Sequence, residues 1–156
     1  MTTITLCLAA MSMLHPSAVT DQRWDTCRDI VHEARAQGVP PQVALAVAYV
    51  ESRYNPDAIS RAGALGPIQV LPQWHCPGGT AEGCDLIAEG IGLMRRLRLR
   101  HGNWLDAWCH YSSGTKCTNS GRRYADKVER KYRTLIIMLV ARGVWVDPGL
   151  RPPRRL

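Results

Sequence analysis

Apolar residues recur at intervals of three and four along most of the chain, which predicts a succession of amphipathic helices. The pattern places these helices at residues 21–37, 42–53, 81–101, 104–111 and 122–142. Residues 56–79 are rich in Gly, Pro, Ser and Asn and show no clear period. We therefore expect a long ordered loop there, with one helical turn near residues 67–71. No run alternates at strand length with hairpin turns, so the predicted fold class is mostly α.

The composition indicates one compact domain with an ordinary core. The chain has 156 residues, of which 46% are hydrophobic and 21% charged, and this excludes a disordered or collagen-like protein. Lys and Arg number 20 against 13 Asp and Glu, giving a formal charge of +7, so an anionic partner is expected. Nucleic acid, a membrane surface and an anionic cell wall all fit that charge. No recognisable nucleic-acid-binding motif accompanies it, so nucleic acid is not the expected partner.

The N-terminal segment resembles a short export signal. An apolar run at residues 4–11 is followed by small residues up to Ala18, although no Lys or Arg precedes the run. The alternative is an ordinary N-terminal tail. We therefore divide the chain into a signal peptide or tail at residues 1–20, a folded domain at 21–145 and a basic C-terminal tail at 146–156. No segment is expected to span a membrane, because Arg142 interrupts the longest other apolar run.

Four of the six cysteines form two pairs with the same spacing of eight residues, Cys76 with Cys84 and Cys109 with Cys117. Each pair could close a short loop as a disulfide in an oxidising compartment. The alternative is a zinc site, but zinc ligands usually come from knuckles two to four residues apart, which this chain lacks, so disulfides are favoured. Cys27 is then free, paired with Cys7 if the N-terminal segment is retained, or available to a partner.

Glu51 is the acid placed as a catalyst would be. It follows Val47 by four residues and Ala44 by seven, so a helix turns its carboxyl group to the same side as these small apolar residues. Partial burial disfavours the carboxylate and leaves a proton available near neutral pH for general acid catalysis. The alternative is a structural acid that pairs with Arg53 or Arg61.

The residues around and after Glu51 form three spaced motifs. Residues 51–60 read ESRYNPDAIS and residues 63–72 read GALGPIQVLP; residues 102–104 read GNW, with AWCHYSSG at 107–114; and Tyr124 is followed by Val128. Together these closely resemble the soluble lytic transglycosylases of the lysozyme-like superfamily over residues 27–135. The resemblance implies a single lysozyme-like domain with long ordered active-site loops at residues 21–145.

The resemblance also implies an activity. Enzymes of this family cleave the β-1,4 bond between N-acetylmuramic acid and N-acetylglucosamine in peptidoglycan and leave 1,6-anhydromuramic ends. Glu51 would act as general acid and then as general base, with no metal and no cofactor. One carboxylate suffices, because the sugar's own 6-hydroxyl replaces the second carboxylate that most glycosidases need.

Several substrate-binding residues carry over from the same motifs. Ser60 and Gln69 would hydrogen-bond the N-acetyl and hydroxyl groups of the sugar, and Tyr111 would orient Glu51 or the oxocarbenium-like centre. Gly66 is expected to adopt positive φ or to let the backbone approach the sugar, as is Gly63. Ser112 and Ser113 stand where the family usually has Asn and Ala, so a contact made by the Asn amide would be lost, shortened or passed to water. The structural alternatives are that Ser60 caps a helix, that Gln69 is a solvated loop side chain and that Tyr111 belongs to the core.

The expected partner is therefore the glycan strand of peptidoglycan, in the periplasm or another exported location. The short single domain also resembles the small transglycosylases that accompany secretion, pilus or conjugation machines, and those of phage particles. Arg95, Arg96, Arg98 and Arg100 would attract an anionic polymer or simply form a solvated helix face. Trp74, Trp104 and Trp108 would stack on sugar rings or belong to the core.

Two alternatives to a transglycosylase stay open. A muramidase, which hydrolyses the same bond, needs a second carboxylate, and the nearby loop acids are Asp57, Glu82 and Asp85. A non-catalytic wall-binding or assembly protein would keep the fold and bind glycan without cutting it.

Overall fold

The computed structural model describes residues 1–144, and these residues fold as a bundle of seven α-helices. In chain order the helices are α1 Thr3–Met11, α2 Asp21–Ala36, α3 Pro41–Ser52, α4 Pro72–His75, α5 Leu86–His101, α6 Trp104–Ser113 and α7 Asn119–Ala141. Short 3-10 turns lie at Pro16–Ala18 and Pro77–Gly79. Residues 1–144 contain no strand; two isolated bridges join Leu65 to Ile59 and to Val70. The predicted mostly α class is confirmed.

Helix boundaries differ from the predicted ones by two residues or more at four places, and a capping side chain, a proline or a glycine explains each. Helix α7 begins at Asn119 and not at residue 122, because the Thr118 hydroxyl accepts a hydrogen bond from the Gly121 backbone N–H. The Asp85 carboxylate accepts a hydrogen bond from the Ala88 backbone N–H, so α5 begins after Asp85 and not at residue 81. The helical turn in the long loop lies at Pro72–His75 and not at 67–71, because Pro72 suits the first helical position. Helix α6 continues to Ser113, past the predicted end at residue 111, and stops where Gly114 adopts a φ of 75°.

Helix α3 is the central element of the fold. Residues 42–48 are all buried, and the helix packs against α2 and α7. A helix that is apolar on every side can be stable only inside a core. This position also explains where the site lies, because Glu51 belongs to the last turn of the same helix and is carried from the core to its edge.

Helix α1 packs into the same core as the other helices. Leu6, Ala9 and Ala10 are fully buried, and α1 contacts α2, α3 and α7. Cleavage of residues 1–20 stays a prediction, but in this chain the segment forms one wall of the core. The basic tail predicted at residues 146–156 lies outside the described residues.

All six cysteines form disulfides. Cys76 pairs with Cys84 and Cys109 with Cys117, as the equal spacing predicts, and Cys27 pairs with Cys7. Of the three alternatives for Cys27, pairing with the retained Cys7 is the one found. The thiolates that a zinc site would need are bonded to one another instead. Within residues 1–144 no helix is both long and apolar enough to cross a membrane.

Candidate active site

The backbone changes direction sharply just after Glu51. Helix α3 ends at Ser52, and both Arg53 and Tyr54 have left-handed φ angles, 53° and 65°. Residues other than glycine rarely adopt this conformation, and it clusters at functional sites where the surrounding structure holds it in place. Tyr54 is fully buried, which anchors the turn. The chain is thereby redirected into the long loop of residues 55–71, which the Ser52 hydroxyl ties back to the end of α3.

Glu51 is partly buried and hydrogen-bonded to a tyrosine of α7. The Tyr124 hydroxyl donates to Glu51 Oε1 at 2.5 Å. Burial raises the pKa of Glu51 from 4.5 to about 7, while the Tyr124 hydrogen bond and the charge of Lys127 oppose that rise. Neither Arg53 nor Arg61 forms an ion pair with Glu51. The side chain is therefore a carboxylic acid that keeps its proton up to neutral pH.

Of the two roles expected of Tyr111, a hydrogen bond to Glu51 is not found, and the role at the oxocarbenium-like centre stays a prediction. The Tyr111 hydroxyl donates to the Ile68 backbone carbonyl at 2.7 Å, and Tyr124 takes the place beside Glu51. Burial and the nearby Glu51 charge raise the pKa of Tyr111 well above its usual range, so the hydroxyl stays a donor. The sequence marked Tyr124 as a motif residue but assigned it no role, because it lies 73 residues from Glu51 along the chain. Its contact follows from the packing of α3 against α7.

The long loop that follows α3 is held together by its own side chains. Gln69 Nε2 donates to the carbonyls of Ala58 and Gly66 at 3.1 and 3.0 Å, and Ser60 Oγ accepts from the Ala64 backbone N–H at 3.0 Å. Ser60 thus braces a loop and does not cap a helix, and Gln69 is bonded within the loop and is not a solvated side chain. These bonds do not use the side-chain oxygen of Gln69 or the hydroxyl proton of Ser60. Their predicted contacts to sugar stay predictions.

Gly66 adopts the positive φ that was expected, 77°, as does Gly63 at 83°. A Cβ atom on Gly66 would lie 3.0 Å from Leu86 Cδ1, so the loop also packs closely on the first turn of α5. The Ser52 hydroxyl donates to the Pro67 carbonyl at 2.7 Å and fixes the loop to the end of α3. The loop that carries Gln69 is therefore attached both to the helix of Glu51 and to α5.

The remaining predicted residues divide between the surface and the core. Ser112 is exposed, whereas the Ser113 hydroxyl lies 2.7 Å from the Cys109 carbonyl of α6 and 2.8 Å from the Lys116 carbonyl of the following loop, and its single proton can bond to one of them at a time. Trp108 is buried in the core and Trp104 lies under the Arg98 guanidinium, but the Trp74 side chain is 74% exposed. Of the three tryptophans only Trp74 is free to meet a ligand.

Gly90 makes the closest contact between α5 and the loop, and its substitution gives a testable prediction. A Cβ atom there would lie 2.4 Å from Ile68 Cδ1, and the Ile68 side chain is fully buried and has no space to yield. We expect Gly90→Ala to unfold more easily than Gly92→Ala by about 1–3 kcal/mol in urea titrations, because overpacking costs that much. Activity on glycan should fall with it, since Ile68 precedes Gln69.

Gly92→Ala is the matched control. It lies in the same helix and gains the same helix propensity, but its Cβ would meet only the flexible ends of Arg96 and Gln37, both at 3.2 Å. Equal stability of the two variants would contradict the packing argument.

Residues 1–144 thus form a helical domain in which a partly buried acid, hydrogen-bonded to Tyr124, stands at the end of the central helix. The family model described as the transglycosylase SLT domain matches residues 29–134. The match spans more than half of the chain, which therefore belongs to this family and has its lysozyme-like helical fold. At the family level this supports lytic transglycosylase activity on peptidoglycan. A search of curated proteins found no match to the chain.

Proposed function

We propose that this protein is a peptidoglycan lytic transglycosylase in which Glu51 is the general acid and then the general base. The observation that carries the proposal is the half-buried Glu51 carboxyl group, whose pKa is raised to about 7 and which is held by Tyr124. A general acid works best when its pKa lies near the working pH. The family match supplies the substrate class, peptidoglycan.

In the proposed reaction the Glu51 proton passes to the oxygen that links muramic acid C1 to the next N-acetylglucosamine. The C1–O bond breaks, and positive charge develops on the muramic ring. The Glu51 carboxylate then removes the proton of the muramic 6-hydroxyl, and that oxygen bonds to C1. Glu51 is protonated again at the end of the cycle, and no water is consumed. Each new muramic end is therefore a 1,6-anhydro sugar.

The surroundings of Glu51 favour this reaction over hydrolysis. A muramidase needs a second carboxylate aimed at the sugar or at a water molecule. The three acids considered for that role are exposed, and Asp85 is already used as the N-cap of α5. Tyr124, the group bonded to Glu51, carries no charge, because burial and the neighbouring Glu51 raise its pKa well above its usual range.

The proposal is tested by the mass of the soluble products released from purified peptidoglycan. We expect muropeptides that are lighter by one water molecule than the reducing muropeptides released by a muramidase from the same material. Reducing ends would assign hydrolysis instead. Binding to sacculi without any soluble product would assign the non-catalytic wall-binding protein.

Tyr124 is expected to position Glu51 and to hold down its pKa. Tyr124→Phe removes the hydrogen bond that stabilises the carboxylate, so the pKa of Glu51 should rise further above 7. We expect the alkaline limb of the kcat against pH profile to move to higher pH, and kcat at neutral pH to fall about tenfold because the carboxyl group is less well oriented.

Tyr49→Phe makes the same chemical change elsewhere, at a hydroxyl that donates to the Met13 carbonyl at 3.1 Å. Its pH profile should match that of the unaltered protein. An unshifted limb in Tyr124→Phe would show that this hydroxyl does not control Glu51.

An exported location accompanies the proposed substrate. Three disulfides form among residues 1–144, and such bonds persist in oxidising compartments. Peptidoglycan also lies outside the cytoplasm. It stays a prediction from the sequence resemblance that the protein acts with a secretion, pilus or conjugation machine or with a phage particle.

A further inference from the structure

A concave site lies next to Glu51 and shares Tyr111 with the candidate active site. A cavity of about 650 Å³ is enclosed by α4, by the last two turns of α5 and by the residues that follow Tyr111. This volume is typical of ligand-binding pockets. Glu51, Ser60 and Gln69 do not line it, but three residues of the predicted sugar-binding motif, Tyr111, Ser112 and Ser113, are part of its wall. Because the Tyr111 hydroxyl bonds to the Ile68 carbonyl and Tyr111 lies near the Glu51 charge, the cavity adjoins both the loop that carries Gln69 and the surroundings of Glu51.

The lining of this cavity is basic and contains no carboxylate. Its ionisable groups are those of Tyr111, Arg100, His75, His101 and His110. Arg100 is exposed and has no acidic partner within residues 1–144. A permanent positive charge without a partner in a concave, carboxylate-free site favours an anionic ligand.

Two of the imidazoles are fixed in place by their own contacts. The rings of His101 and His110 stack with centroids 3.9 Å apart and planes 6° from parallel. His110 Nδ1 lies 2.7 Å from the Gly114 carbonyl, which can only accept, so Nδ1 carries the proton of that bond. The Nε2 atom of His110 is thus left for a ligand. The stack supplies a rigid edge of nitrogen atoms beside Arg100.

Part of the lining is apolar. It consists of Leu71, of Leu93 and Leu97 of α5, and of the exposed ring of Trp74, and Ser112 and Ser113 also line the cavity. A ligand that fits this lining has aliphatic groups as well as carboxylates. A short acidic peptide has both, whereas an uncharged sugar would leave Arg100 without a partner.

We propose that this cavity binds the acidic peptide that the glycan strand carries on its muramic acid residues, with a peptide carboxylate on Arg100 and aliphatic side chains on Trp74 and the leucines. The inference rests on the proposed function, because the glycan held at Glu51 brings its peptide to the adjoining cavity. It makes the protein selective for strands that still carry their peptides.

The test compares kcat/KM on two preparations of soluble glycan strands, one with intact peptides and one stripped of them by an amidase. The proteins are the full chain, Arg100→Gln and Arg95→Gln. Arg95 is exposed on the same helix but does not line the cavity, so its variant matches the loss of one positive charge. We expect the full chain and Arg95→Gln to prefer peptide-bearing strands by about tenfold or more, and Arg100→Gln to lose most of that preference.

Cleavage of the stripped strands reports the proposed function separately. We expect all three proteins to cleave them at similar rates. Equal kcat/KM of the full chain on both preparations, or an unchanged preference in Arg100→Gln, overturns the peptide site and leaves the proposed function standing. An equal loss on both preparations in Arg100→Gln overturns it too, since Arg100 then binds the muramic acid's own carboxylate or the glycan. No cleavage of either preparation by the full chain overturns the proposed function, and this inference with it.

Trp74→Ala is a second variant that tests the same cavity. The Trp74 side chain is 74% exposed, so its removal should leave the thermal midpoint nearly unchanged. We expect its preference for peptide-bearing strands to fall several-fold. An unchanged preference would remove the apolar half of the proposed site.

Discussion

Glu51→Gln is expected to abolish glycan cleavage, with a loss of about 1,000-fold or more in kcat on purified peptidoglycan. Glutamine keeps the size of the side chain and can still accept the Tyr124 hydrogen bond, but it has no proton to give and no carboxylate to take one back. A general acid alone contributes about 10²–10⁴-fold, and the proposed cycle uses the same group twice. Release of soluble muropeptides measured over time checks the prediction.

Glu82→Gln is the matched control, because Glu82 is an exposed loop acid and the chemical change is the same. It should cleave as fast as the unaltered chain. If Glu51→Gln also cleaves at the full rate, then the catalytic acid lies elsewhere, whatever the products are.

Glu51→Gln should also be more stable than the unaltered chain at alkaline pH. The pKa of Glu51 is about 7 in the folded state against 4.5 ordinarily, so between these values the folded protein binds more protons than the unfolded one. Its free energy of unfolding therefore falls as pH rises through this window, by up to about 3 kcal/mol. Glutamine does not ionise and escapes that loss.

Urea unfolding at pH 4 and pH 8 measures this effect. We expect a small difference between Glu51→Gln and the unaltered chain at pH 4 and a gain in stability of the variant at pH 8. This result would also show that the inactive variant is folded. A difference that is the same at both pH values would mean that Glu51 ionises like an exposed acid.

The existence of the main helices was predictable from the spacing of apolar residues, and the accuracy of their boundaries depended on how they are capped. The apolar residues of α2, α3 and α7 recur at helical spacing, and prolines or glycines separate α2 from α3. The start of α5 was misplaced because apolar spacing alone does not reveal that Asp85 caps it. Helix α1 was missed for a different reason. A short apolar run at an N-terminus has the same pattern whether it is exported and removed or packed into a core.

The sequence predicted the acid chemistry of the candidate site better than the hydrogen bonds between its side chains. The position of Glu51 on a buried helix follows from spacing along one helix, and so does the expectation that its proton is retained. The exchange of Tyr111 for Tyr124 beside Glu51 does not, because it depends on how α3, α6 and α7 pack in three dimensions. The internal bonds of Gln69 similarly require the closed loop, in which Gln69 itself has a φ of 53°.

Removal of residues 1–20 is expected to unfold the domain or to leave it barely stable. The deletion takes away the Cys7–Cys27 disulfide, whose loop of about 20 residues contributes roughly 3 kcal/mol. It also removes Leu6, Ala9, Ala10 and other buried side chains from one wall of the core. Because domains are stable by only about 5–15 kcal/mol, this loss is of the same order as the whole stability. Circular dichroism and thermal unfolding of the shortened chain check the prediction.

Substitutions of two leucines of α1 test whether the loss of stability comes from core packing. Leu6 is fully buried and Leu8 is 48% exposed, although both lie in the same helix two residues apart. Leu6→Ala should lower the free energy of unfolding by about 2–5 kcal/mol and Leu8→Ala by much less. If the shortened chain instead folds with undiminished stability, and the exported protein begins after residue 18 by intact mass, then the segment is a removed signal and α1 is not part of the mature core. Stability that depends on Leu6 would mean that α1 contributes to the core of any form of the protein that retains it.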